Sequence, residues 1–265
     1  MDKKQVASNS VYQNLVTTSD NFTEIVGRLA KDSGKEGDII KDIHRKMNFT
    51  SQKSLLDIGC GFGNLALHFI DYTKKNKIKL TLVDIDAVIE RIESDHRFNT
   101  KNVKMIKGTF PDSLFPEIKE KYDYILVYSV LHYTDKPDIF IEKLVPLLRP
   151  GGIILIGDLP NINRMGRFQS TEYGRNFTAE YKGMLLSEIP LYKDHHEFYK
   201  SRKNELNNLI SDELIFNTIN KYRDLGYDVW VVPQPDELPF CKSREDLLIK
   251  NKMEWMMWLI ISGEC

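Results

Sequence analysis

Between residues 54 and 158 short apolar runs alternate with stretches whose apolar residues fall at helical spacing. No other feature restricts the fold as much. SLLDIG (54–59), KLTLVDID (79–86), NVKMIKG (102–108), YDYILVYSVLH (122–132) and GIILIGD (152–158) have the length and apolar content of strands. GNLALHFIDYTKK, AVIERIESDHR and PDIFIEKLVPLL, which lie between them, read as helices. The fourth run is too apolar to leave one face wet. Such alternation predicts a parallel sheet with helices on both faces. After it, SDELIFNTINKYRDLG (211–226) predicts a helix with Ser211 or Asp212 as N-cap and Gly226 as stop. YDVWVVP (227–233) and SREDLLIKNK (243–252) predict a sixth strand and a more polar seventh, at an edge or antiparallel.

The flanks follow other patterns. Residues 1–52 predict two helices, about Ser19–Lys31 and Asp38–Met47, separated by Gly34 and Gly37. We assign 1–52 to an N-terminal helical segment and 53–265 to the α/β domain. Residues 160–212 interrupt the rhythm and are too long for a simple loop. They predict a helical lid over the carboxyl ends of the strands, where open α/β sheets bind ligands. Lys and Arg number 37 against 38 Asp and Glu, a net charge of -1, so no bulk charge draws the chain to nucleic acid or an anionic membrane. The longest apolar run, Trp255–Ile261, falls short of the roughly 20 residues a membrane span needs. An exposed face on it would suit a homodimer. MDKKQVASNS does not read as a secretory signal, and Cys60, Cys241 and Cys265 form neither a disulfide framework nor a zinc motif. A cytoplasmic location is the expectation.

The first predicted strand ends in Asp57-Ile58-Gly59-Cys60-Gly61-Phe62-Gly63. Glycines at this spacing let the backbone turn tightly and come close to a ligand. An acid two residues before them suits the cationic amino group of an amino-acid moiety better than a pyrophosphate. The second strand ends in Asp84, where a carboxylate can accept hydrogen bonds from both hydroxyls of a ribose. A cofactor with adenosine and a charged amino acid, without phosphate, fits both acids. S-adenosylmethionine is that cofactor, and S-adenosylhomocysteine is its spent form. Cys60 reads as a small filler in the loop.

The glycine motif, the second-strand acid, YDYILVYSVLHY and LLRPGGIILIGD together resemble the class I S-adenosylmethionine-dependent methyltransferases over about 160 residues. The resemblance implies a Rossmann-like seven-stranded α/β sheet. It implies that Asp57, Gly59 and Gly61 line the methionine end, that Asp84 holds the ribose with Ile85 against the adenine, and that Tyr128 and Ser129 flank the methionine side. Such proteins often place an acid after the third strand to meet the adenine. This chain has Gly108-Thr109-Phe110 there, so Thr109, backbone groups at Phe110, or Asp112 must serve.

Methyl transfer needs an acceptor atom aligned with the sulfonium methyl and, for a hydroxyl, a route for its proton. His132 lies just past the fourth strand, as a base or as a histidine that caps or packs. Asp158 ends the fifth strand, where it could orient His132, bind acceptor, or cap a turn through Asn161. Tyr133 could shape the pocket. Arg164, Arg167 and Arg175 could receive an anionic group of the acceptor through forked hydrogen bonds. His195 and His196, in Asp-His-His-Glu, are further acceptor-binding candidates, but adjacent side chains on a helix do not share a face, so at most one would join the site, and no metal is expected. GDLPNINRMGRF and PQPDELPFCKSREDLLIK are similar to methyltransferases of bacterial surface-polysaccharide clusters. That resemblance implies a sugar or polysaccharide-precursor acceptor, with Gln234, Arg244 and Glu245 at a far rim in structural roles. The alternatives are a non-catalytic cofactor-binding member and a nicotinamide-dependent oxidoreductase on a related sheet.

Overall fold

The structure is a computed structural model that describes residues 34–112, 118–202, 210–238 and 240–252. The predicted helix at Ser19–Lys31 and the apolar run Trp255–Ile261 lie outside these residues. Helix α1 is Glu36–Met47, and strand β1, Ser54–Ile58, is buried along its whole length. Then come α2 (Asn64–Lys75), β2 (Lys79–Asp84), α3 (Asp86–Ser94), β3 (Lys104–Lys107) and β4 (Tyr122–Tyr128). A short 3-10 turn at Leu131–Tyr133 leads to α4 (Pro137–Leu144), with Pro137 in its first turn, where a missing N–H costs nothing. Strand β5 is Leu148–Pro160. Helices α5 (Ile162–Gln169), α6 (Glu172–Lys182) and α7 (His195–Arg202) fill the insertion. Helix α8 (Asp212–Asp224), β6 (Tyr227–Pro233) and β7 (Arg244–Asn251) complete the described chain.

The seven strands form one sheet in the order β3-β2-β1-β4-β5-β7-β6. Strands β1 to β5 are parallel, and β7 runs antiparallel to both β5 and β6. This is the seven-stranded α/β sheet the sequence predicts. Successive strand residues point to opposite faces. Leu56, Ile125 and Ile154 join a core under α4 and α8, while Leu55, Leu126 and Leu155 join one under α1, α2 and α3. The helices match this with apolar stripes such as Ala66, Phe69, Ile70 and Thr73 on α2. Each fully buried leucine contributes roughly 2 kcal/mol of transfer free energy.

Strand β7 is antiparallel, as expected, but it is not an edge. It lies inside the sheet, and β6 takes the edge with Trp230 and Val231 exposed. The polar residues of β7 are buried because they are paired. Asp246 Oδ2 accepts from Lys46 Nζ of α1 at 2.7 Å, and Lys46 also binds Asp42 one turn earlier on α1. Asp246 Oδ1 accepts from the backbone N–H of Asp158 at 2.8 Å and from Gln234 Nε2 at 3.2 Å. A buried polar network thus ties the first described helix to the end of β5. No helix among the described residues is long and apolar enough to cross a membrane.

Candidate active site

The carboxyl ends of β1, β2, β4 and β5 meet at one rim, and the chain there is bent in ways that serve a site. Gly59 and Gly61 have φ of 71° and 65°, in the left-handed region. A Cβ at Gly59 would collide with the side chain of Val130 beyond β4, so the loop after β1 can lie this close only with glycine. Ser129 and Asp158, at the ends of β4 and β5, also have positive φ, 61° and 59°. Non-glycine residues held this way cost about 1 kcal/mol or more and cluster at functional sites. Asp158 falls where the β5–β7 register shifts, between Ile156 and Leu159, and that irregularity aims its side chain.

On the β1–β2 side, Asp57 is buried and its Oδ2 has no hydrogen-bond partner. Burial, with the Asp84 charge adding to it, pushes the Asp57 carboxyl up to about 8. Asp84 Oδ2 accepts from the Gly61 N–H at 2.8 Å and Oδ1 from the Ile85 N–H at 2.7 Å. Burial still raises its carboxyl to about 6, against the pull of those bonds. The Cys60 thiol bonds this carboxylate as well, and the two oxygens together still have acceptor capacity for a hydroxyl donor. Two carboxyls held above their ordinary range, one with an orphaned oxygen, fit a ligand with a cationic amine and a diol, as S-adenosylmethionine has. Ile85 is part-buried beside Asp84. Cys60 is buried, and burial carries its thiol well above the ordinary range, as befits a filler. Tyr128 is buried with its ring against Gly157, where a Cβ would strike it.

The expectation for Phe110 concerns its backbone groups alone. Its ring packs edge-on to Phe140 at 4.9 Å, inside the core under α4, and only 4% of the residue is exposed. Part-buried Thr109 and the backbone remain at that position.

On the β4–β5 side, His132 sits in the turn after β4 with its Nδ1 buried and without a partner. Burial, helped by the nearby Arg244 charge, lowers the imidazole to about 4, so it is neutral at ordinary pH. The half-exposed Tyr133 ring lies 4.2 Å from it, centroid to centroid. Asp158 does not bond His132. Its Oδ2 accepts from Arg244 Nη1 and its Oδ1 from Gln234 Nε2 at 3.2 Å. Nor does it act through Asn161, which caps α5 itself by accepting from the N–H groups of Asn163 and Arg164.

The three insertion arginines are held by protein acceptors. Arg164 donates to the Cys241 carbonyl at 2.9 Å and to Glu245 at 3.4 Å. Arg167 pairs with Asp212 at 2.6 Å, and Arg175 donates to the carbonyls of Leu186 and Ile189. They brace the insertion against β7, against α8 and against itself. His195 and His196 open α7 with ring centroids 4.0 Å apart. No group of three or more metal-ligating side chains gathers among the described residues. Arg244 and Gln234, expected at a far rim, instead flank Asp158. The antiparallel pairing of Arg244 with Pro160 brings them there.

Residues 56–154 match the model of a methyltransferase domain family. The ubiquinone biosynthesis O-methyltransferase of Rickettsia canadensis is 28% identical over 194 residues, 72% of this chain and 73% of that protein. The tRNA N(3)-methylcytidine methyltransferase trm140 of Schizosaccharomyces pombe is 33% identical over 116 residues, 40% of this chain and 36% of that one. Among solved structures, the plantazolicin methyltransferase BamL superposes with a TM-score of 0.55 at 18% identity, covering 94% of this chain and 97% of its own. That likeness is one of fold.

Proposed function

Since the chain is an S-adenosylmethionine-dependent methyltransferase with a class I sheet, we propose that it methylates a hydroxyl oxygen on the ring of a small acceptor, with His132 taking the proton. The observation that carries this reading is the neutral, part-buried imidazole of His132, whose Nδ1 is buried and unpartnered. A hydroxyl needs a proton acceptor at the moment its oxygen gains a methyl, because the resulting oxonium is strongly acidic. A weakly basic imidazole suffices for that, and it has the advantage of being unprotonated when the acceptor arrives. Asp57 and Asp84 hold the amino and ribose ends of the cofactor, and the Gly59–Gly61 turn lets the backbone approach it. Bound S-adenosylmethionine supplies an electrophilic methyl group and leaves as S-adenosylhomocysteine. The insertion acts as a lid that excludes water, and the exposed Tyr133 ring gives way as the acceptor enters.

The relatives aligned over most of the chain are named ubiquinone biosynthesis O-methyltransferases, and the oxygens of a quinone are borne on a ring. They favour a ring-borne hydroxyl over the sugar or polysaccharide precursor suggested by the outer segments. The test is calorimetric binding of S-adenosylmethionine and S-adenosylhomocysteine, with nicotinamide cofactors as controls. Mass spectrometry of vicinal dihydroxybenzenes after incubation with protein and cofactor then reads the reaction. A singly methylated ether that His132→Asn no longer forms, at unchanged cofactor affinity, supports the reading. Methylation that persists in His132→Asn refutes the role of the base. Cofactor binding with no product from any ring hydroxyl refutes the acceptor.

A further inference from the structure

The anion-binding role expected of the insertion arginines has a better candidate in Arg244. Its Nη1 is spent on Asp158, while Nε and Nη2 have no protein partner among the described residues. Its guanidinium lies over the Phe240 ring at 4.7 Å, so one face is covered and the edge is free. A planar guanidinium with a free edge beside an aromatic face is built for in-plane, forked recognition of a carboxylate. The position is right as well, for Arg244 is close enough to His132 and Tyr133 to act on both electrostatically.

The surroundings narrow the ligand. Phe240 is the inner end of an aromatic row along the insertion. Tyr181 meets it at 5.0 Å, Phe177 stacks on Tyr181 at 5.9 Å, Phe168 meets Phe177 at 5.6 Å, and the exposed Tyr173 lies 5.9 Å from Phe168. Such a row favours a flat, π-rich ligand. Asp158, Glu245 and Asp246 crowd the same corner, so a doubly charged phosphate would meet about twice the repulsion that a single carboxylate meets.

We propose that Arg244 is an acceptor-binding residue, taking a carboxylate on a flat hydroxylated ring through Nε and Nη2, with Phe240 and Tyr133 as walls for the ring. The proposal deepens the reading of the site given above and rests on it for the identity of the reacting hydroxyl. Arg244 selects the acceptor by its charge and sets the distance from carboxylate to His132, and so selects which hydroxyl is methylated.

The experiment uses the full chain saturated with S-adenosylhomocysteine. Calorimetry compares a vicinal dihydroxybenzoate with the matching uncharged dihydroxybenzamide in the wild type, Arg244→Gln and Arg244→Lys. The acid is expected to bind wild type about tenfold or more tightly than the amide, the worth of one charge-assisted fork. Arg244→Gln removes that preference and leaves S-adenosylhomocysteine affinity unchanged. Arg244→Lys, which keeps the charge beside Asp158 but not the fork, falls between. No preference in wild type, or a preference surviving in Arg244→Gln, overturns the proposal. A structural role for Arg244 would lower the affinity for acid, amide and cofactor product together, and that result also overturns it. Turnover separates the two readings. Arg244-dependent binding of an acid that is never methylated keeps this site and defeats the hydroxyl-transfer reading. Methylation of both compounds with no dependence on Arg244 does the reverse.

Discussion

Lowering the pH from 8.5 to 6 weakens the binding of S-adenosylhomocysteine by about two orders of magnitude, and Asp57 is the reason. In the free protein its carboxyl is pushed up to about 8 by burial and by Asp84. At pH 7 only about one molecule in eleven therefore carries the charge, and at pH 6 about one in a hundred. The amino group of the ligand binds the ionised form, so the bound carboxyl returns toward the ordinary value of 3.8. Binding below pH 8 must then expel a proton, and log affinity rises by up to one per pH unit before levelling above about 8. Asp84, raised to about 6, steepens the curve only at its acid end. Titration calorimetry in buffers of different ionisation enthalpy counts the proton directly. About nine-tenths of a proton released at pH 7 is expected, and Asp57→Asn should bind weakly with no pH slope. A flat profile in the wild type, or a slope unchanged in Asp57→Asn, would refute the reasoning. The same shift acts on stability with the opposite sense. The folded state keeps a proton that the unfolded chain gives up between pH 3.8 and about 8, so stability falls as pH rises through that window. Asp57→Asn should accordingly raise the melting temperature at pH 8.

Three further outcomes follow from other parts of the structure. Lys46→Met leaves Asp246 buried without its cation and Asp42 with Arg45 alone, and we expect a loss of about 3–5 kcal/mol in chemical denaturation; a loss under 1 kcal/mol would mean that the network is not what joins α1 to β7. His132→Gln should lower kcat by about 10²–10⁴, and the wild-type kcat, read at saturating cofactor, should hold down to pH 5 and fall only as pH nears about 4, where the imidazole takes up its proton; an acid limb of kcat near 6.5 would contradict the burial and the Arg244 effect. Gly59→Ala must hold φ near 71° and displace Val130, so cofactor binding and about 1–3 kcal/mol of stability should be lost together; retention of both would show that the loop relaxes freely.

Much of this fold could be read from the chain because its determinants are local. The five parallel strands announce themselves as apolar runs, and Leu55 and Leu56 already show the two-sided burial that needs helices on both faces. The Asp57-to-Gly63 loop was equally legible, since a strand end, an acid and spaced glycines are adjacent in sequence. The acceptor corner was not. Arg244 reaches Asp158 only because β7 enters antiparallel between β5 and β6 with a register shift at Gly157–Asp158, and no local pattern encodes that shift. The protein partners of the insertion arginines were hidden for the complementary reason. These partners, Glu245, Asp212 and the carbonyls of Cys241, Leu186 and Ile189, lie from 11 to 81 residues away in the chain. Nor does a local pattern place the Phe110 ring, which turns inward beyond the strand end onto the apolar surface of Phe140.

The two halves of the site carry opposite electrostatic bias, and that contrast argues for their roles more strongly than any single residue. On the β1–β2 side the protein buries two acids, and burial holds both carboxyls high, so a cation is welcome. On the β4–β5 side it sets a guanidinium beside an imidazole, so the imidazole lies low and stays neutral. Reversing either bias would disable the reaction. A well-paired Asp57 would gain nothing from an amine, and a protonated His132 could neither accept a proton nor sit comfortably near a sulfonium. Asp158 keeps the biases apart. Its charge is shared with Arg244 and Gln234 and its N–H is taken by Asp246, so a third carboxylate stands at the rim while its upward pull on His132 is outweighed by burial and by Arg244. The buried Lys46–Asp246 pair holds that arrangement at a cost in desolvation. A cost of this kind is tolerable where the position of one carboxylate determines the protonation state of its neighbour.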